Sequence, residues 1–192
     1  MEMKSGAIEA IGLGKSYQKK VIRDLSFRIE PGDTVLVTGK SGAGKTTLFR
    51  LLLGLEKPDC GAVKNGLGKI SAVFQEDRLL EQFDITDNIR LVSGLDRDSI
   101  FAEYRRLLPE ESFPKKIRQY SGGMKRRAAV LRAVIGESQA IFLDEPFQGL
   151  DEINKRKTME YITDNRRGRS LLVITHEEKE AEFFLPNKII RL

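Results

Sequence analysis

The alternation of apolar and polar positions divides the chain into strands and helices. Leu25, Phe27 and Ile29 alternate with Ser26, Arg28 and Glu30, the two-residue period of a half-buried strand, and residues 6–30 read as short strands. Pro31-Gly32-Asp33 makes a turn. Thr34–Thr38 (TVLVT) is a β-branched apolar run, as expected of a strand buried on both faces. A glycine-rich loop and a helix over Thr46–Leu53 follow, then a turn at Lys57–Gly61 and a strand at Lys69–Phe74. Ile100, Phe101, Tyr104, Leu107 and Leu108 fall at helical spacing, with Asp98 as N-cap and Pro109 as stop. No second buried-strand pattern occurs over about 76–120, which predicts a small helical sub-domain. Ser121 caps a helix with the stripe Met124, Ala128, Leu131 and Ile135. Ala140–Leu143 and Ser170–Thr175 are two more buried strands, separated by a helix around Ile153–Thr163. Strands alternating with helices require crossover connections and a mainly parallel sheet.

Composition narrows the class. A chain of 192 residues is one domain's worth, and 32% charged residues of mixed sign exclude disorder and fibrous repeats. No apolar run approaches the roughly 20 residues that span a bilayer. The N-terminus leads into no apolar secretion signal, and the single Cys60 allows no internal disulfide, so the expected compartment is the cytoplasm. A net charge of +5 permits an anionic partner without choosing one.

Gly39-Lys40-Ser41-Gly42-Ala43-Gly44-Lys45-Thr46 satisfies G-x-x-x-x-G-K-[ST] between a buried strand and a helix. Glycines let successive N–H groups turn inward, and the helix N-terminus adds about half a positive charge. Lys45 would reach the β- and γ-phosphates and the Thr46 hydroxyl would hold Mg²⁺. Ile141-Phe142-Leu143-Asp144-Glu145 ends an apolar strand in two acids, at the carboxyl end, beyond which parallel sheets place ligand groups. Asp144 there can hold Mg²⁺, and Glu145 can polarise a water aimed at the γ-phosphate.

Three further features have two readings each. Tyr120-Ser121-Gly122-Gly123-Met124 opens a helix bearing Lys125, Arg126 and Arg127; it is either a second anion site or a glycine-rich cap with a solvated basic face. His176 follows a buried strand and is either a phosphate-facing imidazole or a structural histidine. Tyr17 either stacks on a base or is a partly buried strand tyrosine. Arg126, Arg127, Arg166 and Arg167 are most simply solvated.

These elements, in this order, resemble the ATP-binding subunit of ABC transporters, over about residues 6–192. The resemblance implies an α/β P-loop NTPase of ABC type: a mainly parallel sheet flanked by helices, a short antiparallel β region and a small helical sub-domain. Residues 1–192 would form one such domain, with 1–75 and about 136–192 as catalytic core and about 76–135 as helical sub-domain. It assigns ATP binding to Tyr17, Gly39, Lys40, Ser41, Gly42, Ala43, Gly44, Lys45, Thr46 and Thr47, and catalysis to Glu145, His176 and Gln75. Mg²⁺ falls to Thr46, Gln75 and Asp144. Ser121, Gly122 and Gly123 match the signature motif that meets the partner subunit's ATP, and Gly149-Leu150-Asp151 the D-loop. The implied partners are a second copy of the chain, head to tail, an integral-membrane permease and, indirectly, an extracytoplasmic substrate-binding protein, with no nucleic acid. The implied location is peripheral, on the cytoplasmic face of the membrane. Phe74–Leu80, the signature and Asp144–Phe147 look most like the nitrate, sulfonate and taurine importers. Tyr120 and Met124 depart from the usual leucine and glutamine, and the Lys45–Gln75 and Gln75–Ser121 intervals are short for the family.

Two other function classes are compatible with a phosphate loop. A soluble ABC-type ATPase acting on nucleic acid or ribosomes suits the basic charge, but usually needs two nucleotide domains or a long coiled-coil insertion. A GTPase or small-molecule kinase would share only the loop, and Asn187-Lys188-Ile189-Ile190 lacks the aspartate of a guanine motif.

Overall fold

The computed structural model describes residues 6–18 and 20–192, which divide into two units. The first comprises the chain through Ile70, Ser138–Asp144 and Gly168–Leu192. The second comprises Ser71–Glu137 and Glu145–Arg167.

The first unit holds two sheets. Strands β1 (Ile8–Ser16), β2 (Lys20–Ile29) and β4 (Cys60–Asn65) form an antiparallel sheet in the order β2-β1-β4. Strands β3 (Thr34–Thr38), β6 (Ala140–Asp144), β7 (Ser170–Ile174) and β8 (Lys188–Arg191) run parallel in the order β6-β7-β3-β8. Every residue of β6 and β7 is buried, which is why their sequences carry no alternation. Register sets Val37 beside Ile174 and Ile174 beside Asp144. The carboxyl ends of β3, β6 and β7 therefore lie side by side, and each is followed by a residue or loop that the sequence analysis singles out. Helix α1 (Lys45–Leu52) buries Leu48, Phe49, Leu51 and Leu52, and the Phe49 ring meets Phe142 of β6 at a centroid distance of 6.2 Å. Helix α6 (Glu178–Phe183) precedes β8.

Strand β5 (Ile70–Val73) leads into the second unit, which is helical: α2 (Ile85–Arg90), α3 (Arg97–Tyr104), α4 (Gly122–Ile135) and α5 (Glu152–Asn165). Short 3-10 turns at Glu110–Ser112 and Ile117–Gln119 join α3 to α4. Helix α4 is buried nearly all round, through Arg126, Ala128–Leu131, Ala133 and Val134.

Local expectations are corrected at three points. The N-cap of α3 is Asp96, whose carboxylate accepts from Ser99 N at 2.8 Å, not Asp98. That helix ends at Tyr104, five residues before Pro109, with Leu107 and Leu108 buried in the turn beyond it. Cys60 lies not in a turn but at the start of β4, whose residues are mostly exposed and so lack an apolar signature. The short elements α2, α6 and β8 leave no signal in the sequence, since each has six residues or fewer and no sustained period.

Candidate functional site

The phosphate loop lies in the first unit. Gly39, Gly42 and Gly44 adopt φ values of 156°, 75° and 104°, the region side chains avoid. A Cβ on Gly44 would lie 2.5 Å from Val21 Cγ1, and one on Gly39 2.8 Å from the Leu192 carbonyl oxygen, so space and conformation both demand glycine. Lys40 and Ser41 are exposed and Ala43 half-buried, with Ala43 N donating to Lys40 O at 3.1 Å. The N-cap of α1 is Gly44, with no side-chain cap and no acid in the first turn. The helix start thus offers N–H groups and positive dipole to an external anion. Lys45 Nζ donates to Gly39 O at 2.9 Å and Lys40 O at 3.2 Å. An ammonium resting on neutral carbonyls gains strength by exchanging them for phosphate oxygens.

Thr46 is exposed and Thr47 half-buried. Tyr17 donates from its hydroxyl to Glu56 Oε1. Acceptance by Glu56 raises the Tyr17 pKa. Tyr17 is 58% exposed, which leaves it open to stacking. Asp144, the last residue of β6, is 1% exposed. A carboxylate this deep is costly unless cations or donors face it. Among the described residues no group of three or more His, Cys, Asp or Glu side chains converges. One carboxylate plus a hydroxyl, completed by nucleotide phosphates, is the oxygen set that suits Mg²⁺, so Asp144 and Thr46 fit that ion.

His176 follows β7 and is exposed. Its loop is braced by buried neighbours: Thr175 donates to Glu180 Oε2 and accepts from Glu177 N at 3.1 Å.

The second unit begins its second segment at Glu145, half-buried, with φ 50°. A non-glycine residue in the left-handed region directly before Pro146 carries strain of roughly 1–3 kcal/mol. Gln75 is exposed, but its backbone is fixed: Arg126 of α4 donates Nη1 to Phe74 O at 2.7 Å and Nη2 to Gln75 O, with Asp77 Oδ1 at 3.3 Å. Burial raises the Asp77 pKa against the pull of Arg126 and Lys125.

Ser121 caps α4, its Oγ accepting from Met124 N at 3.3 Å. Ser121 and Gly122 are exposed and Gly123 is half-buried. Tyr120, just before the cap, is buried in a hydroxyl network, with its OH 3.0 Å from Tyr104 OH and donating to Ser112 O at 3.2 Å. Asp151 caps α5, its Oδ1 accepting from Asn154 N at 2.9 Å, and is exposed.

The structure thus gathers Tyr17, residues 39–47, Asp144 and His176 into the first unit, and Gln75, Ser121–Gly123, Glu145 and Asp151 into the second. The solvated reading of Arg126 and Arg127 is overturned: Arg126 is 6% exposed and serves the Gln75 loop, and Arg127 donates to Leu107 O and Asn154. The signal was present, because Ala128–Leu131 leave α4 no continuous polar face, and a cation on such a helix must find acceptors.

A family model described as "ABC transporter" matches residues 22–148. The taurine import ATP-binding protein TauB of Pseudomonas aeruginosa is 32% identical over 95% of this chain and 76% of its own length. The formylaminopyrimidine import ATP-binding protein ThiZ of Halalkalibacterium halodurans is 34% identical over 90% of this chain and 74% of its own. A dimeric ATP-binding cassette solved in a post-hydrolysis state with ADP and Pi shares the fold at a TM-score of 0.82, with 23% identity over 96% of this chain and 94% of that one. The glycine-built phosphate loop and this matched span together show that the chain belongs to the ABC transporter family, as a subunit that binds ATP with Mg²⁺ and hydrolyses it.

Proposed function

We propose that this chain is the ATPase subunit of an ABC importer and works as a head-to-tail pair. Each ATP is held between the phosphate loop of one copy and Ser121–Gly123 of the other. The observation that supports this reading is that one chain carries two separate glycine-rich helix starts suited to anions. One is an α1 start with no side-chain cap; the other is a glycine-rich α4 start with an exposed hydroxyl. A γ-phosphate shared by two such corners holds two surfaces together, and hydrolysis removes the bridge.

In this reading residues 1–192 act as one ABC ATPase domain, with about 76–135 as its helical sub-domain. Lys45 clamps the β- and γ-phosphates, and Gly39–Gly44 and Thr47 line them. Tyr17 stacks on the adenine. Thr46, Asp144 and Gln75 would hold Mg²⁺, which would supply positive charge to offset that of the phosphates. Glu145 accepts a hydrogen bond from the attacking water and orients it, and Gln75 and His176 contact the γ-phosphate. Asp151 lies at the contact between the two copies. The pair docks a permease on the cytoplasmic face of the membrane; among the described residues no helix is long and apolar enough to cross it. An extracytoplasmic binding protein delivers the cargo. The import direction rests on the names of the two relatives, a taurine import and a formylaminopyrimidine import ATP-binding protein.

Glu145→Gln tests the arrangement. The mutant should bind ATP, fail to turn over, and migrate as a dimer in size-exclusion chromatography only with ATP. Wild-type hydrolysis rates in the mutant would refute the role of Glu145.

A further inference from the structure

Gly123 and Asp151 are far apart in sequence but tied together within the second unit. Asn154, in the first turn of α5, donates its backbone N to Asp151 Oδ1 at 2.9 Å and its Nδ2 to Oδ2 at 2.7 Å. Its amide oxygen accepts from Arg127 Nη1 at 2.8 Å. Arg127 also donates through Nε to the Gly123 carbonyl at 3.3 Å, and through Nη1 to Leu107 O. The two loops are also close neighbours: a Cβ added to Gly123 would stand 3.4 Å from Leu150 Cδ2 and 3.7 Å from Gly149 O.

The residue types suit a relay. An asparagine side chain has a donor end and an acceptor end, and here each faces its complement, a carboxylate and a guanidinium. An aspartate at that position would repel Asp151, and a leucine would break both links. Burial lowers the pKa of Arg127 while the Asp151 charge acts the other way, as expected if the two charges feel each other.

We propose that Arg127 and Asn154 are positioning residues that lock the Ser121–Gly123 turn and the Asp151 loop into one body. The two motifs then engage the second copy as a unit rather than separately. This rests on the sandwich-dimer reading above. Its consequence is that losses at Ser121 and Asp151 do not combine independently.

The experiment uses the Glu145→Gln protein and measures the ATP-dependent dimer dissociation constant by sedimentation. Ser121→Ala, Asp151→Ala and the double variant are compared with the relay intact, then with Asn154→Leu, and separately with Arg127→Lys. With the relay intact, the double variant should depart from the product of the single effects by about 5-fold or more, as for residues in one network. With Asn154→Leu, or with Arg127→Lys, which replaces the separately placed Nε and Nη1 donors by one nitrogen on a flexible stem, the effects should multiply to within about 2-fold. A purely structural role would lower the melting temperature and leave the departure in place. A departure that persists in both relay variants, or none with the relay intact, overturns the proposal. If Asn154→Leu does not fold, Arg127→Lys decides. Failure of Glu145→Gln itself to dimerise with ATP would overturn the sandwich and this inference with it, an outcome distinct from a dimer whose coupling ignores the relay.

Discussion

The phosphate loop and the Ser121–Gly123 turn are both helix starts, yet they are built by different means. In the first, the backbone carries the shape: Gly39 and Gly44 sit where a Cβ would collide, at φ values that favour glycine. In the second, a Cβ on Gly122 would meet nothing within 4 Å. There the shape comes from side chains reaching in from elsewhere in the unit: Tyr120 through Tyr104 and Ser112, and Arg127 through Asn154. A corner made of backbone is encoded in a few consecutive residues. A corner made of side chains draws on residues scattered through α3, a 3-10 turn, α4 and α5.

The largest expected effect is therefore on a side chain of the second unit. Arg126→Met keeps the aliphatic stem but removes the donors to Phe74 O and Gln75 O and the cation beside Asp77. Loss of a buried, charged hydrogen-bonding group should cost about 3 kcal/mol in urea denaturation. A loss under about 0.5 kcal/mol, the range of ordinary surface changes, would mean that the second unit does not depend on such contacts. Next comes Gly44→Ala, which imposes strain of about 1–3 kcal/mol on the phosphate loop. If that strain falls on the nucleotide-bound form, ATP affinity by calorimetry should drop roughly 10- to 100-fold. The same substitution at Gly122 should do the reverse to stability. Position 122 begins a helix with open space and no positive φ, so alanine should raise the unfolding free energy by about 0.5 kcal/mol. Equal effects at the two glycines would erase the distinction between the corners.

The same contrast explains what the sequence discloses. The parallel core is legible because β3, β6 and β7 are continuous apolar runs, and the phosphate loop because its glycines and lysine are contiguous. The Asp144-Glu145 pair is legible from its place at the end of such a run. Arg126 and Arg127 look solvated because a basic run suggests a wet face, and nothing local reveals that their acceptors are the carbonyls of Phe74, Gln75 and Leu107. Asn154 looks like any polar residue in the first turn of a helix. Strand β4 escaped notice because its exposed positions need no apolar period; its backbone pairing with β1 defines it.

The smallest effect concerns pH, where each unit has a perturbed aspartate of opposite sign. Burial pulls the Asp33 pKa upward, but donors from Lys188, at 2.6 Å, and Asn187, at 2.7 Å, outweigh it and leave it below the ordinary value of 3.8. Asp33 thus stabilises the first unit above that value, and the contribution is lost as pH falls through the lowered pKa. Asp77 is raised above 3.8, chiefly by burial, with Arg126 and Lys125 only partly offsetting it. Its contribution is present below 3.8 and lost as pH rises through the raised pKa. Urea midpoints between about pH 3 and 6 should therefore respond oppositely to two isosteric changes. Asp33→Asn should flatten the rise of stability with pH, because a carboxylate that favours the charged form is gone. Asp77→Asn should steepen that rise, because the removed group is the one that loses stability on ionising. Slopes that shift in the same direction in both variants would show that the Arg126 cation, rather than burial, sets the charge state of Asp77.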